Sequence, residues 1–127
     1  ARGVSSRLFV IGSDSGRVDQ LYGIIASLAS AAPFLDSCHA LIGRAYFTFT
    51  SGEANIYRKN GATVSVFAMG GIADSVSLQG FRWELAEATL PPGSTLGLSN
   101  ELSEDVGKIS VNSGILVAIQ PDSIQGL

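Results

Sequence analysis

A chain of 127 residues with a net charge of −3 is the size of one domain, and at 46% hydrophobic it can bury a core, which excludes disorder. Only 15% of its residues are charged, against roughly 25% in an average soluble domain. No basic cluster is larger than Arg58–Lys59, which excludes a nucleic-acid interface, and the single cysteine, Cys38, excludes an internal disulfide and favours the cytoplasm.

In chain order, "RLFVIG" (7–12) is a short apolar run that predicts a buried strand. The polar loop "SDSG" (13–16) follows, then an apolar stripe at helical spacing: Val18, Leu21, Tyr22, Ile25, Leu28, Ala29 and Ala32. That stripe predicts an amphipathic helix from about Gly16 to Ala32, stopped by Pro33. A glycine loop feeding a helix N-terminus is a general anion site. Its sharper forms fail here. Gly16 is followed by Arg17–Val18 rather than Lys–Ser/Thr, Gly12 and Gly16 are wrongly spaced for a dinucleotide fingerprint, and Asp14 sits where a nucleophile elbow needs serine. The expected role of Asp14 or Ser15 is to cap the helix. The uncharged run Gln20–Leu35 is 16 residues, short of the roughly 20 that cross a bilayer, so no membrane span is expected.

Adjacent Cys38 and His39 point to opposite faces if the segment is a strand, and form a half-buried structural pair rather than a catalytic or metal site. From there the texture is β. Tyr46, Thr48 and Thr50 alternate with Phe47 and Phe49; Ile56–Tyr57 and Val64–Phe67 follow. "NG" at Asn60–Gly61 predicts a type I′ hairpin, and "TSGE" (50–53) a second turn, together a three-stranded meander. Further strands are expected at 75–79, 95–99, 108–111 and 115–120. The segment 81–90 supports two descriptions. As a strand it buries Phe81, Trp83 and Leu85 but brings Glu87 onto the core face unless it bulges near Ala86; as a helix it gathers Phe81, Leu85 and Ala88. "SNELSEDVG" (99–107) is a solvated acidic loop without calcium-loop spacing.

The resulting expectation is a single domain, 1–127, mainly β in the α+β class: an antiparallel β-sandwich or small barrel with one amphipathic helix near the N-terminus. Charge is split along it. Residues 1–59 hold six basic and four acidic groups, and residues 60–127 hold two and seven. With few charges, opposite-signed halves and no catalytic constellation, the sequence suggests a non-enzymatic structural protein without cofactor or metal. Such a protein works by self-association or by docking on a larger assembly, as a capsid or tail decoration protein of a virion assembled in the cytoplasm. The expected contact residues are the basic tip Arg58, Lys59, Asn60 and Gly61 and the acidic loop Glu101, Glu104 and Asp105. The alternative is a carbohydrate- or small-ligand-binding sandwich, which requires Trp83 or Tyr57 exposed beside the acidic loop.

Overall fold

The computed structural model describes residues 6–13 and 16–124. Strand β1 (Arg7–Gly12) leads to helix α1 (Val18–Ala31), and a 3-10 turn at Ala32–Phe34, carrying Pro33, ends the helix. Strand β2 (Ser37–Ile42) then returns parallel to β1, Arg7 opposite Ser37 and Gly12 opposite Ile42. Parallel neighbours need a crossover, and α1 is that crossover. The helix starts after Arg17, whose guanidinium pairs with Asp19 at 2.7 Å in the first turn, and no side chain caps it at Arg17. Asp14 and Ser15, expected to cap it, lie outside the described residues.

A turn at Gly43–Arg44 makes β2 and β3 (Ala45–Thr50) a hairpin. Strands β4 (Glu53–Tyr57), β5 (Thr63–Gln79), β6 (Leu85–Leu90), β7 (Asn100–Glu101), β8 (Val106–Ser110) and β9 (Ser113–Gln120) complete the chain. The path of pairing is β1-β2-β3-β9-β5-β8-β4, with β6 and β7 also on β5. The fold is mainly β with one helix, as expected, and its sheet is mixed and curled over at β5.

Neither predicted meander turn makes a hairpin. Strand β3 pairs with β2 and β9, β4 pairs with β8, and β5 pairs with β9, so both connections carry the chain from one layer to the other. The type I′ turn fails at Asn60–Gly61 because neither residue has positive φ; instead the Gly61 N–H donates to the Asp122 carbonyl at 3.1 Å. The strands expected around 64–67 and at 75–79 are one strand, β5. It turns a corner at Gly70 (φ 77) and Gly71, where its register against β9 slips between Met69 and Asp74. The 81–90 segment resolves as strand from Leu85. Val76 and Leu78 of β5 face Ala88 and Leu85, so β6 holds one extra residue, and Glu87 (φ 49) turns out to solvent at that bulge. Residues 95–99 form turns rather than a strand.

Alternation along each strand sorts the core into two. On the outer face of β1-β2-β3-β9, Cys38, Ala40, Phe47, Phe49 and Val117 pack under Leu28 and Ala29 of α1. On the inner face, Leu116, Ala118, Val64 and Val66 meet Ile56, Val76, Leu78, Leu90 and Ile109 of the second layer. The front of the helical stripe, Val18 and Tyr22, is exposed, as are Phe9 and Ile11 of β1, so β1 is an edge strand and not the buried strand expected.

The turn before β7 lies so close to β5 that Gly97 has no room for a side chain: an added Cβ would collide with the Val66 carbonyl oxygen, which belongs to a residue whose N–H donates to Gly97 at 2.9 Å. Gly97→Ala is expected to cost about 3 kcal/mol, read as a drop in thermal midpoint. Gly23, on α1 with nothing within 4 Å of an added Cβ, is the control. Gly23→Ala is expected to stabilise by about 0.5–1 kcal/mol through helix propensity.

Candidate functional site

Where β5 ends, the backbone makes a sharp dip. Gly80 (φ 82) lies so close to β8 that an added Cβ would sit 2.8 Å from the Val106 carbonyl oxygen. Phe81 drops into the core and bridges Leu102, and Trp83 is thrown outward, 52% exposed. Its backbone is clamped by Asn100. The Asn100 amide nitrogen donates to the Trp83 carbonyl at 2.7 Å, and its Oδ1 accepts from the N–H groups of Trp83 (3.1 Å) and Glu101 (2.8 Å). Asn100 is 2% exposed and, with all these bonds made, it acts as a short piece of sheet edge for a segment that has left the sheet.

Ser99 (φ 54) precedes the clamp and donates its N–H to Ser65 Oγ at 2.9 Å. The turn just before it carries Leu96 and Leu98, both more than half exposed. The Arg82 guanidinium lies 4.7 Å from the Trp83 ring centroid and 3.5 Å from the Glu101 carboxylate. The result is a rigid aromatic shelf with apolar and acidic neighbours, suited to a flat cationic ligand. The strand description of 81–90 placed Trp83 in the core, the ligand-binding alternative required Trp83 or Tyr57 exposed, and Asn100 was expected in a solvated loop; Trp83 and Tyr57 are both about half exposed. The available signal was the phase of Glu87, which shows that the strand cannot run regularly through 81–87.

Of the expected contact residues, Arg58 meets the acidic loop of its own chain, while Lys59, Asn60 and Gly61 turn to other partners. Because Tyr57 of β4 pairs with Val106 of β8, the segment after β4 lies against the loop before β8. Arg58 donates through its guanidinium to the carbonyls of Leu102 (3.0 Å) and Glu104 (3.3 Å), and through its backbone N–H to that of Asp105 (2.8 Å). Its Nε lies 3.7 Å from the Asp105 carboxylate. Lys59 lies over the Tyr46 ring instead, 4.2 Å from its centroid. Asn60 hydrogen-bonds Asp122, whose carboxyl is held below the usual range by Arg44 first and by Asn60 after desolvation opposes it.

Cys38 and His39 do point to opposite faces. The thiol is buried, donates to the Leu28 carbonyl at 3.7 Å and is pushed up in pKa by burial; the imidazole Nδ1 lies 3.3 Å from Thr48 Oγ1 on the inner face.

Two substitutions test these clamps. Asn100→Ala leaves the Trp83 and Glu101 backbone groups unpaired and is expected to cost about 2–3 kcal/mol. Arg58→Ala removes two charge-assisted bonds at a partly exposed side chain and is expected to cost about 1–2 kcal/mol. Denaturant unfolding measures both.

Residues 53–116, half of the chain, match the family model described as "Thiamin pyrophosphokinase, vitamin B1 binding domain". That span includes Trp83, Asn100 and the Arg58 loop. No curated protein sequence matches the chain. Among solved structures, the thiamine pyrophosphokinase of Bacillus subtilis is similar with a TM-score of 0.82 at 23% identity, over 94% of this chain and 57% of that one. The thiamin pyrophosphokinase of Geobacillus thermodenitrificans is similar with a TM-score of 0.76 at 25% identity, over 98% of this chain and 58% of that one. The enzyme from Candida albicans is similar with a TM-score of 0.71 at 16% identity, over 94% of this chain and 46% of that one. The chain thus spans little more than half the length of the bacterial proteins, and the likeness in structure concerns the fold.

The family match overturns the expected function. A non-enzymatic structural protein, a capsid or tail decoration role and a place in a virion are all withdrawn, because the matched domain belongs to an enzyme. Few charges and the want of a familiar catalytic motif suggested a scaffold, and both features are equally compatible with a binding domain. This chain belongs to the family of the vitamin B1 binding domain of thiamin pyrophosphokinase.

Proposed function

We propose that this chain supplies the vitamin site of a thiamin pyrophosphokinase, the enzyme that passes a pyrophosphoryl group to thiamin. The observation that carries the proposal is the family match over 53–116, which contains the clamped shelf of Trp83 and Asn100. Thiamin is a cation of two flat rings, an aminopyrimidine joined through a methylene group to a thiazolium. An exposed indole offers such a ring both a π face for its charge and apolar area for its body. Arg82 lies over the Trp83 ring and is paired with Glu101, so a ligand cation would take the place of the Arg82 guanidinium on the indole. The acidic balance of residues 60–127, seven carboxylates against two basic groups, favours the approach of a cation over that of an anion.

In this role the chain does three things: it stacks the vitamin, it excludes water from one face of it, and it holds the ring's position through a backbone clamp rather than through a flexible side chain. Fixing an acceptor in this way lowers the entropic cost of the transfer step. The roles of Trp83 and Asn100 are accordingly binding and positioning.

Trp83 is the only tryptophan, so its emission reports on the site directly. Thiamin titrated into the chain is expected to quench Trp83 fluorescence saturably. Trp83→Phe is expected to weaken binding, followed calorimetrically, by about 1 kcal/mol and Trp83→Ala by about 2 kcal/mol. Emission and heat that are indifferent to millimolar thiamin would refute the assignment.

A further inference from the structure

The second layer covers only part of the first. Between β2–β3 on one side and β4 on the other lies a cavity of about 300 Å³, within the size range of small-molecule sites. It is lined by His39, Tyr46, Thr48, Asn55, Tyr57 and Lys59, among others, and shares no residue with the Trp83 shelf. Gln120, 2% exposed, also lines it and donates from Nε2 to the Tyr57 carbonyl at 2.8 Å, joining β9 to β4 across the cavity wall.

Two carboxylates also line the cavity: Glu53 pairs with Lys108 at 3.3 Å, and Asp36 keeps its charge while accepting the Ser6 N–H at 2.7 Å. Lys59 forms no ion pair with a described residue; its ammonium rests on the face of Tyr46, 4.2 Å from the centroid. On the same inner face the His39 ring lies 5.6 Å from the Tyr46 ring and reaches Thr48 Oγ1 through Nδ1 at 3.3 Å. Arg7 stands in the adjoining cleft with His39 and Tyr46. A cation with no ion pair among the described residues, an imidazole able to gain a proton and an aromatic wall converge on one space.

We propose that this cavity binds a small organic anion, its carboxylate or phosphate group held by Lys59 Nζ and the His39 ring and its flat body laid against Tyr46 and Tyr57. Charge sets it apart from the vitamin shelf, since Lys59 repels a thiazolium and attracts an anion. The proposal stands on the cavity and its side chains and is independent of the thiamin assignment.

The pH dependence follows from the groups that face His39. Burial first, and then the positive charge of Lys59, hold its pKa below the ordinary 6.5. Arg7 lies to the β1 side, Tyr46 to the β3 side, and Asp36 and Glu53 line the cavity, Glu53 in an ion pair with Lys108. In the empty cavity His39 is neutral at pH 7. A bound anion offsets Lys59 and favours imidazolium, so binding takes up a proton and tightens as pH falls from 8 towards 6.

His39 is the only histidine, so its ring resonances in proton NMR are unambiguous. The experiment titrates pH with no ligand, with benzoate and with inorganic phosphate. The empty chain is expected to show a His39 midpoint below 6.5. Benzoate is expected to raise that midpoint and to do so at lower concentration than phosphate, which has the charge and lacks the flat body. Lys59→Gln, in a loop outside the strands, is expected to raise the ligand-free midpoint and to weaken the benzoate response about tenfold, while Lys59→Arg retains it. A midpoint that neither anion moves, or a benzoate response equally strong in Lys59→Gln, overturns the proposal.

Discussion

One strand has to serve two layers, and most of the architecture follows from how β5 does so. Its first half pairs with β9 under the helix-covered layer, and its second half pairs with β6 and β8 in the other layer. A strand of 17 residues cannot stay straight and do both, so it bends at Gly70–Gly71, where a left-handed φ costs no steric clash. The corner folds the sheet over itself and creates an interior between the layers, filled by Val64 and Val66 from one half of β5 and Val76 and Leu78 from the other. Every other strand takes its place from this one.

The fold-over also explains why the polar sites stand where they do. Strand β6 lies at the open side of β5, and the chain between them leaves the ladder over Gly80–Glu84. Backbone groups that leave a ladder near the core need partners, and Asn100 supplies them. The same clamp that satisfies the backbone leaves the indole of Trp83 outside. One buried side chain therefore both satisfies the backbone and sets the position of the exposed indole.

Opposite charges are arranged on a similar plan. Pairing of β4 with β8 brings Arg58 to the acidic loop, where it satisfies carbonyls of the same chain. Its neighbour Lys59 forms no ion pair among the described residues and lies instead on Tyr46. Two adjacent basic residues thus have different duties, one tying loops together and one leaving positive charge in a cavity. Their adjacency in sequence, which suggested a single charged tip, carries no information on this point.

The sequence by itself determined the elements whose cause is local. Apolar residues three and four apart specify α1, Pro33 ends it, and period-two alternation specifies β3. The mainly β class with one helix followed from these, and so did the opposite faces of Cys38 and His39. Tertiary structure decided everything that depends on a distant partner. Asn60–Gly61 has the composition of a hairpin, yet β4 and β5 find better partners in β8 and β9, and the turn never forms. Trp83 has the composition of a core residue, yet the extra residue at Glu87 and an asparagine 17 positions away turn it to solvent. Local patterning states which face of an element is apolar; which other element covers that face is set by competition among long-range pairings, and Trp83 lies where that competition left an aromatic ring uncovered.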